Sequence, residues 1–349
     1  MTDLRSLSFQ ELTGLMEQLG EKKFRTTQVY EWVHKKLAHS YDEMTNIPKA
    51  LKEKLSDAVV FEPLKEVERY VSKLDGTTKF LLELSDGNII ETVLMKYHHG
   101  NSVCISSQVG CRMGCRFCAS TLGGLTRHLT VAELLGQIYY IQKTTGERVS
   151  NVVVMGTGEP FDNYDNIVKF IHMLTDEKGL NISQRNITVS TCGLVERIYD
   201  LAKEQFSITL AISLHAPNDQ MRKELMPIAN KYTISQIMEA CDYYIKETGR
   251  RITFEYSLVA GVNDKEEHAK ELIRHLSGKL CHVNLIPVNP IDERDYKRST
   301  KASVEAFAKL LEKNHINATV RREMGSDIQA ACGQLRKRYN DRKEEKSND

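Results

Sequence analysis

Four of the chain's eight cysteines fall between positions 104 and 118, and three of these, Cys111, Cys115 and Cys118, are spaced C-x3-C-x2-C. Three thiolates this close can ligate one metal centre from a single loop. A structural zinc site needs four ligands, usually in two separated pairs, and no second C-x2-C pair exists. An iron–sulfur cube held by three cysteines leaves one iron open, and an open position serves catalysis. A disulfide framework belongs to small secreted domains, and Arg112, Gly114 and Arg116 make this stretch a polar, flexible loop. Cys104 ends a strand-like run seven residues before Cys111, and by residue type alone it reads as a small buried hydrophobe. Cys192, Cys241 and Cys281 read as core. Glu91 is the odd residue in the apolar run NIIETVLM. It is either a buried carboxylate, whose raised pKa would suit a base near neutral pH, or an outward-facing residue on an edge strand.

The elements that must position these residues follow from periodicity. Residues 1–62 read as helices, with LSFQELTGLMEQLG starting at a serine and stopped by Gly20. The next stretch carries Phe24, Val29, Trp32, Val33 and Leu37 on one side and Lys22, Lys23, Arg25, Lys35 and Lys36 on the other. Residues 63–100 change to period two, with Asp75-Gly76 and Asp86-Gly87 as turn signals, and predict a small antiparallel β linker. From 101 to 335 apolar strands such as SVCISSQ, NVVVMG, ITLAISLH and HVNLIPVN alternate with amphipathic helices. That alternation predicts an α/β fold with buried parallel strands, better as a partial (βα) barrel than as a doubly wound sheet. Residues 336–349 form a charged, aperiodic tail.

Lys plus Arg number 48 and Asp plus Glu 47, so the net charge is +1 and bulk charge holds the chain to neither nucleic acid nor membrane. Any grip on phosphate must come from local basic segments: Lys22 to Arg25, Arg250-Arg251, Arg294 to Arg298, and Arg321-Arg322. No apolar run reaches the roughly 18 residues a membrane helix needs. The opening MTDLRSLSFQ lacks the apolar core of a signal peptide, which sets the expectation of a cytoplasmic protein without membrane partners.

The cysteine spacing, with Phe117 before the last cysteine and a βα chain behind it, resembles the radical S-adenosylmethionine superfamily. Within it, VGCRMGCRFCAS, GTGEP, SLHAPND and DIQAACGQL are similar to the RNA adenine methylases of 23S ribosomal RNA. GEPFDN and RREMGSDIQAACGQLR resemble the housekeeping branch, which methylates carbon 2 of adenine in 23S rRNA and tRNA. The antibiotic-resistance branch, which methylates carbon 8, and a non-enzymatic iron–sulfur RNA-binding protein remain the alternatives. One departure is Thr157, where the family pattern has Met.

The resemblance implies a 4Fe-4S cluster on Cys111, Cys115 and Cys118 and two S-adenosylmethionine molecules per turnover. Carbon 2 of adenine is too electron-poor to attack a sulfonium methyl, so a carbon radical must add to it. Cys332 would take a methyl from the first S-adenosylmethionine, and a deoxyadenosyl radical from the second would then activate that methyl for addition. Glu91 would remove the ring proton, and Cys104 would attack the Cys332 sulfur, leaving a transient disulfide to be reduced externally. Cofactor contacts should come from the carboxyl ends of barrel strands. Gly158 and Glu159, Ser190, Ser213, Leu214 and His215, and Asn289 match such contacts. A flavodoxin- or ferredoxin-like electron donor and a monomeric state complete the expectation.

Overall fold

The front end forms three helices, α1 (Phe9–Gln18), α2 (Phe24–His34) and α3 (Lys49–Ala58). The Ser8 hydroxyl accepts from the Glu11 N–H while the Glu11 carboxylate accepts from the Ser8 N–H, and this reciprocal cap starts α1. Leu12, Met16, Val29, Tyr30 and Val33 gather with Leu51 and Leu55 in an apolar cluster of their own. Helix α2 stops at His34, although the apolar repeat continues to Leu37. Leu37 takes left-handed backbone (φ 57°) and packs into the main core. This computed structural model describes residues 1–98, 100–289, 295–322 and 324–328. Cys332, Arg294 and the tail therefore lie outside the described residues.

Four strands follow, β1 (Lys65–Val71), β2 (Thr78–Glu83), β3 (Ile89–Tyr97) and β4 (Gly100–Cys104), each antiparallel to the last. Gly76 and Gly87, at φ 73° and 81°, make the two Asp-Gly turns. The chain then leaves the sheet for a separate hairpin of β5 (Gln108–Gly110) and β6 (Leu125–His128). The expected strand SVCISSQ is thus divided between β4 and β5. Beyond it come α4 (Val131–Thr145), β7 (Val149–Val154), α5 (Tyr164–Thr175), β8 (Ile187–Thr191), α6 (Val195–Lys203) and β9 (Thr209–Ser213). Helices α7 (Asp219–Leu225) and α8 (Ile234–Thr248) lead to β10 (Ile252–Leu258), α9 (Glu266–Leu276), β11 (Cys281–Pro287), α10 (Lys301–Lys313) and β12 (Ala318–Val320).

The strand order is β1-β2-β3-β4-β7-β8-β9-β10-β11-β12, with β4 and β7 to β12 parallel. Each parallel strand lies beside its predecessor and the order never reverses. That is single winding, which curls towards a barrel, whereas a doubly wound sheet reverses at a switch point. The barrel is open, since β1 and β12 end the order unpaired with each other. The antiparallel strands belong to this same ten-stranded sheet and lead directly into its first parallel strand. Helix α6 escaped the sequence reading because only Ile198, Leu201 and Ala202 of its nine residues are buried.

The front helices are bolted to the barrel by polar groups set in apolar surroundings. The Tyr30 hydroxyl donates to Asp176, 2.9 Å away, and the Tyr139 hydroxyl lies 2.8 Å from His34 Nδ1. Burial, helped by the Arg5 charge, pushes His34 down to about 3, so its ring is neutral and accepts the Tyr139 proton. The unfolded chain takes up a proton near pH 6.5 that the folded chain refuses. His34 therefore stabilises the fold above pH 6.5 and loses that contribution as pH falls towards 3. Between pH 7 and 5 this one ring is expected to remove about 2 kcal/mol. Denaturant titrations of the chain and of its His34→Gln variant should differ by that amount in pH dependence.

Candidate active site

At the carboxyl ends of the parallel strands lies a cavity of about 360 Å³. The cysteine loop forms one wall and is held shut at its base. Gly110 (φ 75°) has no room for a side chain, because a Cβ there would stand 2.0 Å from the Gly124 carbonyl oxygen. Cys111 N–H donates to that same oxygen at 2.9 Å, so both ends of the loop close on one another. Thr121 Oγ1 donates to the carbonyls of Cys115 and Cys118, and Arg116 N–H donates to the Leu225 carbonyl. Met113 and Phe117 pack on Cys192, Ala216, Leu225 and Met226, which gives the loop an apolar floor.

Gln108 joins this hairpin to the strand ends. Its amide nitrogen donates to Asp162 at 2.9 Å and meets His128 Nδ1 at 3.0 Å, and its carbonyl accepts the Glu159 N–H at 2.8 Å. Asp162 in turn receives the Arg112 guanidinium, with Nε at 2.9 Å. The GTGEP turn is stitched to the chain after β4 by Ser107 and Gln108 N–H groups on the Thr157 carbonyl. Gly158 (φ 113°) permits this approach, since a Cβ would meet Ser107 and Gln108 atoms at 2.7–2.8 Å. Its freedom thus serves the contact between β4 and β7 ends. The Thr157 hydroxyl stands 3.5 Å from Ser120, where the family pattern has the apolar Met.

Nearly every described residue singled out from sequence meets here. Glu91, Cys104, Cys111, Cys115, Cys118, Gly158, Glu159, Ser190, Ser213, His215 and Asn289 all line the cavity. Leu214 is the exception, packed in the core with its N–H on the Glu255 carbonyl. Glu91 sits in β3 between β2 and β4, so it is no edge residue. It is buried beside the fully buried Lys79, Nζ to Oε2 3.8 Å. Glu159 bridges two strand ends, accepting from Phe161 N–H at 2.9 Å and Cys192 N–H at 2.7 Å. Burial raises its pKa against those two bonds. His215 takes left-handed backbone (φ 57°), its Nδ1 accepts the Ser257 N–H at 2.9 Å, and its ring packs edge-on to Phe117. Burial, with Arg222 nearby, pushes it down to about 3, so it is neutral and its Nε2 carries the proton. Ser190 and Ser213 hydroxyls are 3.3 Å apart on neighbouring strands.

Other residues were not legible as site residues. Cys192, read as core, lines the cavity. Arg222 is fully buried behind it, donating to the carbonyls of Cys192 (2.6 Å) and Leu214 (3.2 Å). Glu255 also lines the cavity, takes a hydrogen bond from Asn284 at 2.9 Å, and is raised by burial against the pull of Arg321. Arg222 stands in the polar stretch DQMRKEL, and Glu255 is an odd carboxylate in the strand RITFEYSLV much as Glu91 is in NIIETVLM.

The donor set suits a metal centre, since three thiols from one loop face a cavity with room for a further ligand. Burial pushes Cys111 up to about 12 and Cys115 well above its usual value, and a bound metal would reverse both. Among the described residues no three His, Cys, Asp or Glu side chains converge on the position of a single metal ion. No helix among the described residues is long and apolar enough to cross a membrane, and none of their cysteines is disulfide-bonded.

Comparison with known proteins agrees with this geometry. Residues 105–273 match the Radical SAM superfamily, and residues 2–60 match the Ribosomal RNA large subunit methyltransferase N-terminal domain. A "Probable dual-specificity RNA methyltransferase RlmN" of Lachnoclostridium phytofermentans is 62% identical over 340 residues, 97% of this chain and 96% of that protein. Its counterpart in Lachnospira eligens is 65% identical over 339 residues, 97% of each. A crystal structure of a radical SAM methyltransferase from Sphaerobacter thermophilus is similar with a TM-score of 0.92 and 43% identity, covering 96% of this chain and 99% of that one.

The tightness at Gly110 has a direct test. A Gly110→Ala substitution forces a left-handed alanine against the Gly124 carbonyl and is expected to destabilise the chain by about 2 kcal/mol or more. Thermal melting checks this, with Gly123→Ala, which meets open space, as the near-silent control.

Proposed function

The chain belongs to the RlmN family of radical SAM RNA methyltransferases, and from that premise we propose that it methylates carbon 2 of adenine in 23S rRNA and in tRNA through a methyl carried on Cys332. One observation supports the division of labour most directly: Glu91, Cys104 and the three loop cysteines line a single cavity. Glu91 and Cys104 come from adjacent strands, where Cys104 pairs with Val93 and the Ser106 hydroxyl donates to the Glu91 carbonyl at 2.7 Å.

Cys111, Cys115 and Cys118 would hold a 4Fe-4S cluster, which when reduced by a flavodoxin- or ferredoxin-like donor supplies the electron that cleaves S-adenosylmethionine. The chain's own groups do the rest. The Cys332 thiolate takes the methyl of a first S-adenosylmethionine, so two are consumed per turnover. Gly158, Glu159, Ser190, Ser213, His215 and Asn289 ring the space available to the cofactor, and neutral His215 offers an Nε2–H donor without adding charge. Glu91 accepts the proton from carbon 2, with Lys79 Nζ standing 3.8 Å from its Oε2. The Cys104 thiolate attacks the Cys332 sulfur, releasing methylated adenine and leaving a disulfide that an external thiol reduces.

Residues 1–62 would serve as an RNA-binding accessory unit, residues 63–100 as the β linker and residues 101–335 as the core, in a cytoplasmic monomer. Arg298, Arg321 and Arg322 line the cavity as well, where phosphate of the incoming RNA would lie. Binding that depends on such residues weakens as salt rises.

Mass spectrometry of adenosines from RNA treated with the reduced enzyme should give 2-methyladenosine, and 8-methyladenosine as the product would overturn the regiochemistry. The roles of the two cysteines separate in variants. Cys104→Ala is expected to accumulate covalently joined to RNA, seen as a ribonuclease-sensitive band on denaturing gels, whereas Cys332→Ala forms no link. Free turnover by Cys104→Ala would contradict its assignment.

A further inference from the structure

Arg321 and Arg322 stand at one edge of the open sheet, and Met324 and Gly325 lead to the other. Behind them β12 is the last strand of the order, and ahead of them lies the turn joining β1 and β2 at the other end. Arg321 N–H holds to the Leu285 carbonyl at 2.9 Å, and Arg321, Arg322 and Met324 line the cavity as the chain crosses. At the far side two bonds fasten it. Gly325 N–H donates to Asp75 Oδ2 at 2.9 Å, and Lys73 N–H donates to Asp327 Oδ2 at 2.8 Å. The arrangement is reciprocal, each side giving one backbone donor and one carboxylate. The turn is preorganised for it. Ser72 Oγ accepts from Leu74 and Asp75 N–H, and Asp75 Oδ1 accepts from Thr77 N–H, which leaves Oδ2 directed at Gly325. Gly325 itself adopts φ 63°, a conformation that favours glycine.

We propose that the β1–β2 turn is the anchor for the root of the Cys332 segment, with Asp75 and Asp327 as positioning residues for the methyl-carrying step. This rests on the reading of Cys332 as carrier. Cys332 lies twelve positions beyond Val320 but only five beyond Asp327. Five positions of backbone span at most about 18 Å, which bounds the distance from Asp327 to Cys332.

The test uses the full-length, cluster-loaded enzyme. Asp75→Asn combined with Asp327→Ala removes both bonds, while the asparagine still offers its one oxygen to Thr77. Asp327→Asn keeps an acceptor for Lys73. Two quantities are measured: amide hydrogen exchange at Gly325, and the rate at which the Cys332 peptide gains a methyl from S-adenosylmethionine. The double variant should lose protection at Gly325 and methylate Cys332 several-fold more slowly, at unchanged melting temperature, whereas Asp327→Asn should match the unaltered chain. Methylation of Cys332 at the unaltered rate in the double variant overturns the anchor alone. A protected Gly325 with no methyl on Cys332 in the unaltered chain overturns the carrier reading, and with it the purpose assigned to the anchor.

Discussion

One amide side chain ties the site together. Gln108 uses both its amide nitrogen and its carbonyl, and the three groups it meets come from three different parts of the chain. His128 belongs to the partner strand of the small hairpin, Glu159 to the turn after β7, and Asp162 to the short helix that follows. Through Asp162 the connection continues to Arg112, inside the cysteine loop. A buried amide left half-satisfied costs about 1–3 kcal/mol per lost group, so these bonds form together or not at all. The loop that must present three thiols is thereby referenced to the strand ends that must present the hydroxyls of Ser190 and Ser213.

Around that junction ionisable groups are buried at the cavity wall and just behind it. Arg222 sits behind Cys192 and donates only to carbonyls among the partners described above; Glu159 and Glu255 are buried acids; Lys79 stands against Glu91. Burying so many ionisable groups opposes stability, and the hydrophobic packing of the βα layers, from Val152 and Ile187 through Phe254 and Leu285, must offset it. Such a lining suits a zwitterionic ligand bearing a sulfonium, an amine and a carboxylate, which finds partners of both signs already oriented.

What could be read from the chain beforehand was whatever rests on neighbours in sequence. The C-x3-C-x2-C spacing, the serine start of the first helix, the Asp-Gly turns and the alternation of strands and helices are local, and each appears in the fold where its residues stand. Glu91 was half legible: its oddity in an apolar run was visible, but its burial beside Lys79 depends on a register between β2 and β3 that no local pattern sets. Gln108 and Cys192 carried no signal, because most of their contacts reach residues 30 or more positions away, and the bonds from Arg222 to Cys192 and from Asn284 to Glu255 span 30 and 29 positions that no local pattern joins. The break in SVCISSQ was equally invisible, since leaving the sheet after Cys104 is decided by where Thr157 offers its carbonyl.

The crossing segment between the sheet edges also bears on how the protein is made. Its two bonds to the β1–β2 turn join residues 250 and 254 positions apart. A chain emerging from the ribosome can pack its front helices, its antiparallel strands and then each βα unit in turn, all contacts of modest separation. The crossing cannot form until nearly the whole chain has been translated. The nascent enzyme thus acquires its cysteine loop and its cofactor-facing strand ends well before the far end of the chain spans the opening. A chain that ends short of residue 325 would lack both this crossing and Cys332, the cysteine proposed to carry the methyl.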